Sequence, residues 1–280
     1  MPRTVPVSVC ICTMNRPELL ADALESIAAS ATRPAEVVVS DDSADDATEA
    51  MVGTRFPWVR YVRGPRAGGI AGNRNAIIDV ATQPGIAFMD DDAQVTPDYF
   101  DEIAAILEDS PGAVVSGLVR NHLPDGRTVV ETPGGVNFLG FPVVPWDAGT
   151  SNMLTMSATV FPADLFERTR FDPKLIYGFD EVDISRRASA LGYPVLLRRS
   201  FVVDHFPQQA GEWYREYTNA SRIYSTWNFY RHIQGRPLRA AAFVAVVVPH
   251  HLIVGALRRH GLRLAQARND LRAALRLARA

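Results

Sequence analysis

Ile86-Ala87-Phe88-Met89-Asp90-Asp91-Asp92 is the stretch on which the reading of this chain turns. Four apolar residues suited to a buried strand deliver three consecutive carboxylates to its end. A fold tolerates that concentration of negative charge only beside a countercharge, and a bound divalent cation would supply one. Hard cations such as Mg²⁺ and Mn²⁺ take oxygen ligands and bridge to substrate phosphates, so Asp-x-Asp after a strand points to a nucleotide-diphosphate site. The competing reading is an acidic loop that caps a following helix opened by Pro97.

On either side of this stretch, strand and helix patterns alternate. Val7 to Thr13 is a short apolar run rich in β-branched residues, read as a buried strand. Asn15 is then expected to cap a helix, with Pro17 in its first turn and Glu18 three residues after the cap. Leu19, Leu20, Ala23, Leu24 and Ile27 form its buried stripe. Glu36 to Ser40 reads as a second strand ending in Asp41-Asp42-Ser43, and Val59 to Val62 as a third. A glycine-rich turn, a helix over 72–81, the strand Ile86 to Met89 and a helix from Pro97 to Asp109 follow. This order predicts a mostly parallel α/β sheet, in which ligands bind at the carboxyl ends of the strands. Asn15, Asp42, Arg74 and Asp90 to Asp92 all fall there. Each alone reads equally well as a cap or turn residue; their convergence favours a site.

From Gly112 to Phe161 the pattern loosens into short strands and Gly/Pro-rich turns, including Gly134-Gly135 and Gly149 to Asn152, which suits an irregular acceptor-side half. From Trp213 onward the chain reads as helical, and no internal repeat or low-complexity linker interrupts it.

Bulk properties narrow the chemistry. The 280 residues suffice for a substantial core, and a net charge of -2 gives no global pull toward nucleic acid. Of 29 basic residues only Lys174 is lysine, which argues against a Walker loop or a Schiff base and leaves the basic work to arginine. Cys10 and Cys12, two apart in one strand, point to the same face and read as small buried hydrophobes of a reducing compartment. The N-terminal residues run straight into that strand with no signal-like apolar region, so a cytoplasmic location is expected.

With these residues in place, the motifs over residues 6–232 resemble those of the family 2 glycosyltransferases with the GT-A fold. Val7-Ser-Val-Cys-Ile-Cys-Thr-Met-Asn-Arg16 resembles the family's opening strand and base-binding turn, which implies Thr13, Asn15 and Arg16 as nucleotide contacts. Val39-Ser-Asp-Asp-Ser43 is similar to its Val-Asp-Asp-Gly-Ser element, with Asp42 reading the base. Gly69-Ile-Ala-Gly-Asn-Arg-Asn75 resembles the segment that places Arg74 near the nucleotide. Met89-Asp-Asp-Asp-Ala93 resembles the Asp-x-Asp motif, with Asp90 and Asp92 as the metal pair and with Asp90 and Asp91 implied as nucleotide contacts.

Phe171-Asp-Pro-Lys-Leu-Ile-Tyr-Gly-Phe-Asp-Glu-Val-Asp-Ile-Ser-Arg-Arg187 resembles the family's Phe-Asp-Glu followed by Gly-x-Glu-Asp-x-Asp-Leu-x-x-Arg, with the usual Glu-Asp pair inverted to Asp180-Glu181. By register Glu181 is the general base, and Asp180 serves if the loop shifts. A carboxylate is needed because a sugar hydroxyl becomes a competent nucleophile only as its proton leaves. The alternative is an acidic helix N-terminus favoured by the dipole, the role assigned to Asp183, with Arg187 anchoring it or meeting a phosphate; the resemblance also implies Arg187 near the donor or acceptor sugar. Val202-Val-Asp-His205 resembles the late strand whose histidine completes the metal site; Gly149 and Asn152 resemble the Gly-x-Asn region near the donor sugar and acceptor.

The resemblance implies a GT-A architecture: a Rossmann-like nucleotide-binding half (residues 1–110), a smaller mixed acceptor half (111–232) and a C-terminal helical appendage (233–280). It implies inverting transfer from a UDP- or dTDP-type sugar with Mn²⁺ or Mg²⁺, the metal and Arg74 neutralising the departing diphosphate. The acceptor stays open among a glycan, a lipid-linked glycan, a peptide and a small natural product. The rival readings are a sugar nucleotidyltransferase, whose glycine-rich Arg/Lys loop is not found, and a non-catalytic binding module of the same fold.

The tail adds one expectation. Ala240 to Val254 is apolar but reads as too short and too polar at its centre to span a membrane. Residues 258–280 carry seven arginines against the single acid Asp270, with leucines at roughly helical spacing. Such a basic amphipathic helix suits an anionic membrane surface at the inner face, or packs on the catalytic domain or a second copy.

Overall fold

The computed structural model describes residues 3–66, 68–143, 153–207, 213–257, 259 and 262–279. The first half runs β1 (Arg3–Thr13), α1 (Pro17–Ala29), β2 (Thr32–Asp41), α2 (Ala47–Arg55), β3 (Arg60–Arg63), α3 (Gly69–Ile78), β4 (Gly85–Asp90), β5 (Ala93–Val95) and α4 (Tyr99–Asp109). The mixed half contributes β6 (Val114–His122), β7 (Thr128–Glu131), the short pair β8 (Gly135–Val136) and β9 (Pro142–Val143), β10 (Thr159–Pro162), α5 (Leu165–Arg168), α6 (Asp180–Ala190) and β11 (Val195–His205). The helical end comprises α7 (Trp213–Asn228), a π-helical turn (Phe229–Ile233), α8 (Pro237–Ala256) and α9 (Leu264–Arg279).

The main sheet has the order β3-β2-β1-β4-β10-β6-β11-β5, with β7 paired to β6. β1, β2, β3 and β4 are mutually parallel, and Thr13 lies opposite Asp41 and Cys12 opposite Asp90, so these strands end level with one another. β10 runs antiparallel to both β4 and β6, and β11 runs parallel to β6. The carboxyl end of β11 therefore returns to the same edge as that of β4.

Strict alternation builds the two faces. Val5, Val7, Val9 and Ile11 of β1 pack with Leu20, Leu24, Phe100 and Ile103 of α1 and α4. Cys10, Val38, Ile86 and Phe88 turn to the other face, against Ile77, Phe161, Phe166, Phe171 and Ile184. A parallel sheet covered on both sides needs such near-continuous apolar strands. Cys10 and Cys12 are both free thiols; burial pushes Cys12 up to about 12 and raises Cys10 as well, so both stand neutral.

Three local expectations are corrected. Asn15 does not cap α1: it takes a left-handed conformation (φ 57°), and α1 starts after Arg16 with no side-chain cap. Asp90 to Asp92 do not cap α4, because β5, three residues long, intervenes and pairs with β11. α2, with only Thr48 and Val52 buried, is an additional helix.

α7, α8 and α9 share a third core with Leu175, built from Ala220, Ile223, Tyr224, Tyr230, Phe243, Val247 and Ala274. α8 is also longer than the apolar run alone indicated. It carries Pro249 within it, spans 20 residues at a mean hydropathy of 1.7, and is thus long and apolar enough to cross a membrane by length and composition.

Candidate active site

The level carboxyl ends of β1, β2 and β4 set the site's floor. After β4 the three acids take three different roles. Asp91 is fully buried and turns back into the protein, where Thr13 Oγ1 donates to it at 2.7 Å and Arg16 approaches it at 2.5 Å (Nη2) and 3.1 Å (Nε). Burial pushes its carboxyl up to about 7, against the pull of Arg16 and Thr13. Thr13 and Arg16 thus brace the acidic turn, and Arg16 also reaches Asp92 at 3.3 Å.

Asp90 and Asp92 face outward with His205, and one ligand atom from each of the three lies within 4.8 Å of the others. β5 and β11 produce this: Ala93 lies opposite His205, so Asp92 stands beside the imidazole. His205 Nε2 lies 2.9 Å from Asp92 Oδ1, and Nδ1 lies 2.6 Å from Asn121 Oδ1. Asn121 Nδ2 donates to Glu131 at 3.4 Å, which assigns its oxygen to His205 and the Nδ1 proton to the imidazole. Nε2 is then the nitrogen facing the carboxylates: as imidazolium it donates to Asp92, and as neutral imidazole it offers a lone pair to a cation. Burial alone would lower the imidazole's pKa, but the bond to Asp92 and the charges of Asp90 and Asp92 override it and raise it. Burial likewise opposes ionisation of Asp92, yet His205 and Arg16 hold its carboxyl below the ordinary value. Two hard carboxylates and one imidazole on a pre-aligned edge fit Mg²⁺ or Mn²⁺.

Two partners here carried no signal in the sequence. Ser157, in the turn before β10, accepts from the Asp90 amide at 3.0 Å and donates to its Oδ2 at 2.5 Å. Asn121 orients His205 because the register of β6 and β11 sets them side by side. Such supporting groups fix ligand orientation.

After β2 the adjacent acids separate. Asp41 is saturated by the Ser43 amide at 2.8 Å and the Tyr61 hydroxyl at 2.7 Å, with Arg63 at 3.4 Å. Asp42 has a buried Oδ1 with no hydrogen-bond partner among the described residues. A buried acceptor left unmatched suits a ligand donor. Asn15 ties this loop to β1: its amide donates to Ser43 Oγ at 2.7 Å, and its Oδ1 accepts from Ala44 at 3.2 Å.

The neighbours Asp180 and Glu181 also separate. α6 starts from Gly178 and Phe179, both left-handed at φ 75° and 66°. For a phenylalanine that conformation costs on the order of 1 to 2 kcal/mol. Asp180 is buried and ion-paired with Arg74, whose guanidinium lies over the rings of Phe88 and Phe171 at 5.6 and 5.4 Å. Gly69 enables this approach: its φ is +61°, a Cβ there would lie 2.5 Å from Ile176 O, and the Ile70 amide donates to that carbonyl at 3.0 Å. Arg74, expected near the departing diphosphate, is buried in this structure and ion-paired with Asp180. Glu181 is half-buried and in no ion pair among the described residues. Burial raises its carboxyl, while Arg74 pulls it down and Asp90 adds to the rise, so it lies within reach of the metal-site charges.

Arg187 takes the anchoring role. Its Nε meets Asp183 at 2.5 Å and its Nη2 meets Asp172 at 3.4 Å, and Asp172 also accepts from Tyr224 at 2.8 Å. Expected also near the donor or acceptor sugar, Arg187 is held in this structure by these two acids. Gly149 and Asn152 lie outside the described residues.

A parallel α/β half, a mixed half and an Asp-x-Asp edge together constitute the GT-A fold. S. aureus TarS 1–349 in complex with UDP-GlcNAc superposes at a TM-score of 0.65, with 14% identity over 97% of this chain and 80% of that one. The mannosyltransferase PcManGT from Pyrobaculum calidifontis, in complex with GDP-Man and Mn²⁺, superposes at 0.58, with 16% identity over 97% and 86%. A family model described as Glycosyl transferase family 2 matches residues 8–155, more than half of the sequence. The chain therefore belongs to glycosyltransferase family 2. Validoxylamine A glucosyltransferase of Streptomyces hygroscopicus subsp. limoneus is 28% identical over 225 residues, covering 69% of this chain and 50% of that protein. The chain spans 40 to 53% of the length of the curated relatives it matches.

Proposed function

We propose that the protein transfers a sugar from a nucleotide diphosphate sugar to an acceptor hydroxyl or amine, with inversion and with Mn²⁺ or Mg²⁺. The observation that carries this reading is the convergence of Asp90, Asp92 and His205 at the carboxyl edge of the sheet. Asp42, one strand over, offers its unmatched oxygen to a nucleobase donor. Asp90, Asp92 and His205 are the residues that would hold a cation, which would supply positive charge to the departing diphosphate. Glu181 takes the acceptor proton as the acceptor oxygen or nitrogen bonds to the anomeric carbon. The bond from that carbon to the diphosphate oxygen breaks, its electron pair leaving with the phosphate. The donor is of UDP or dTDP type, and the acceptor is a glycan, lipid-linked glycan, peptide or small natural product.

A thermal-shift panel of nucleoside diphosphates and their sugars tests this, each with Mn²⁺, Mg²⁺ or chelator. A ligand specific to the native state raises the melting temperature by mass action, and the proposal expects that rise to require the cation. Chelator-sensitive release of nucleoside diphosphate in the presence of acceptors then separates a transferase from a binding module. No cation-dependent shift with any nucleoside diphosphate sinks the proposal.

A further inference from the structure

α8 has two apolar faces, and the protein covers only one. Ala240, Phe243, Val247, His251 and Gly255, spaced by three or four, are buried against α7, the π turn and α9. On that inner side His251 Nε2 lies 2.9 Å from Asp270 Oδ2 of α9. The opposite side presents Leu238, Val246, Ile253 and, just past the helix, Leu257, exposed at 86, 46, 57 and 58% respectively. Ala242, Ala245 and Pro249 are exposed between them.

Charge brackets this stripe. No Asp, Glu, Lys or Arg occurs from Ala240 to Ala256, while Arg236 and Arg239 before it and Arg259 and Arg263 after it are exposed. Residues 217–280 contain eleven arginines and one acid, the buried Asp270; residues 1–216 contain 30 acids and 18 bases. The near-neutral total thus conceals a strongly cationic helical end.

We propose that the outer face of α8 docks on an anionic lipid bilayer, with the helix lying in the plane of the headgroup boundary. Apolar side chains enter the acyl edge while arginine heads meet lipid phosphates, the arrangement that holds interfacial helices. α8 has the length to span, but α7 and α9 cover its inner stripe, so the outer stripe alone is open to lipid. A second copy is the weaker occupant, because pairing this face with itself opposes two arginine-rich ends. The structure also moves the contact from α9 to α8. α9 turns Ala267, Asp270 and Ala274 inward and shows Arg268, Arg272, Arg276 and Arg279 outward, with Leu275 as its exposed large apolar residue.

Flotation of the full-length protein with phosphatidylcholine vesicles, with and without phosphatidylglycerol, tests the proposal. The expected result is flotation with the anionic vesicles that weakens as salt is raised. Leu238→Glu/Ile253→Glu should cut partitioning by about tenfold or more, and Leu238→Phe/Ile253→Phe should retain it, both melting as wild type does. Three results overturn it: no flotation, equal flotation of the Glu variant, or light scattering that shows a dimer which the Glu variant dissociates.

Discussion

Replacing Asp180 and Glu181 one at a time separates two neighbouring carboxylates that the sequence alone treats as interchangeable. The side chains of Arg74 and Asp180 are 8% and 4% exposed. Asp180→Ala therefore leaves a guanidinium uncompensated between Phe88 and Phe171, and breaking a buried pair this way costs about 3 to 5 kcal/mol. At roughly 2 to 4 °C per kcal/mol for a domain of this size, the melting temperature should fall by about 6 to 20 °C. Glu181→Gln keeps shape and removes a carboxyl whose folded pKa is raised, first by burial. A raised carboxyl pKa means that ionised Glu181 opposes folding above its folded value and is without effect below the unfolded one. The Gln variant should thus melt at or slightly above the wild-type temperature at neutral pH, while turnover falls by about 10²- to 10⁴-fold, the usual loss for a general base. In the wild type the acid limb of the rate profile should lie above the ordinary glutamate value of about 4.3, since catalysis needs the ionised form; in the variant that limb should vanish. Calorimetric melting and release of nucleoside diphosphate at saturating donor measure both effects. An Asp180→Ala protein that melts like wild type but is inactive, beside an active Glu181→Gln, would refute the reasoning.

Asp92→Ala and Asp90→Ala should each lose cation-dependent affinity for nucleoside diphosphates by titration calorimetry without unfolding; unchanged affinity in both would remove the metal assignment. His205→Ala should raise the Mn²⁺ concentration needed for half-maximal activity, and Asn121→Ala should raise it less, because the imidazole loses its orienting partner and keeps its lone pair. Arg16→Ala should destabilise through Asp91, and the penalty has a defined sign. The Asp91 carboxyl, already raised to about 7 by burial, rises further without Arg16, so the loss should be small near pH 4 and grow through pH 7 and above. Urea melts across that range would show a flat difference if Asp91 were not the cause.

The parallel sheet was legible because its signals are local. Apolar residues two apart in Val7 to Thr13 belong to one face, and a run apolar on both faces belongs between two helical layers. The same locality placed Asp42, Asp90 and Asp92 at or just beyond strand ends, where a sheet binds ligands, while His205 was reached only through the resemblance of its strand to the family's late one. Elements with weak local patterns escaped: Ala93-Gln94-Val95 is too short to show a period, and α2 buries only two residues. What each polar residue does was settled by neighbours distant in sequence. Arg74 and Asp180 meet across 106 positions, Arg16 and Asp91 across 75, and Asp92 and His205 across 113. Sequence determined which residue types reach the carboxyl edge, since strand period and strand end are properties of a few consecutive residues. Tertiary structure alone decided which acids are neutralised and which remain open, because a carboxylate's burial and countercharge come from strands and helices that meet it only after the chain has folded.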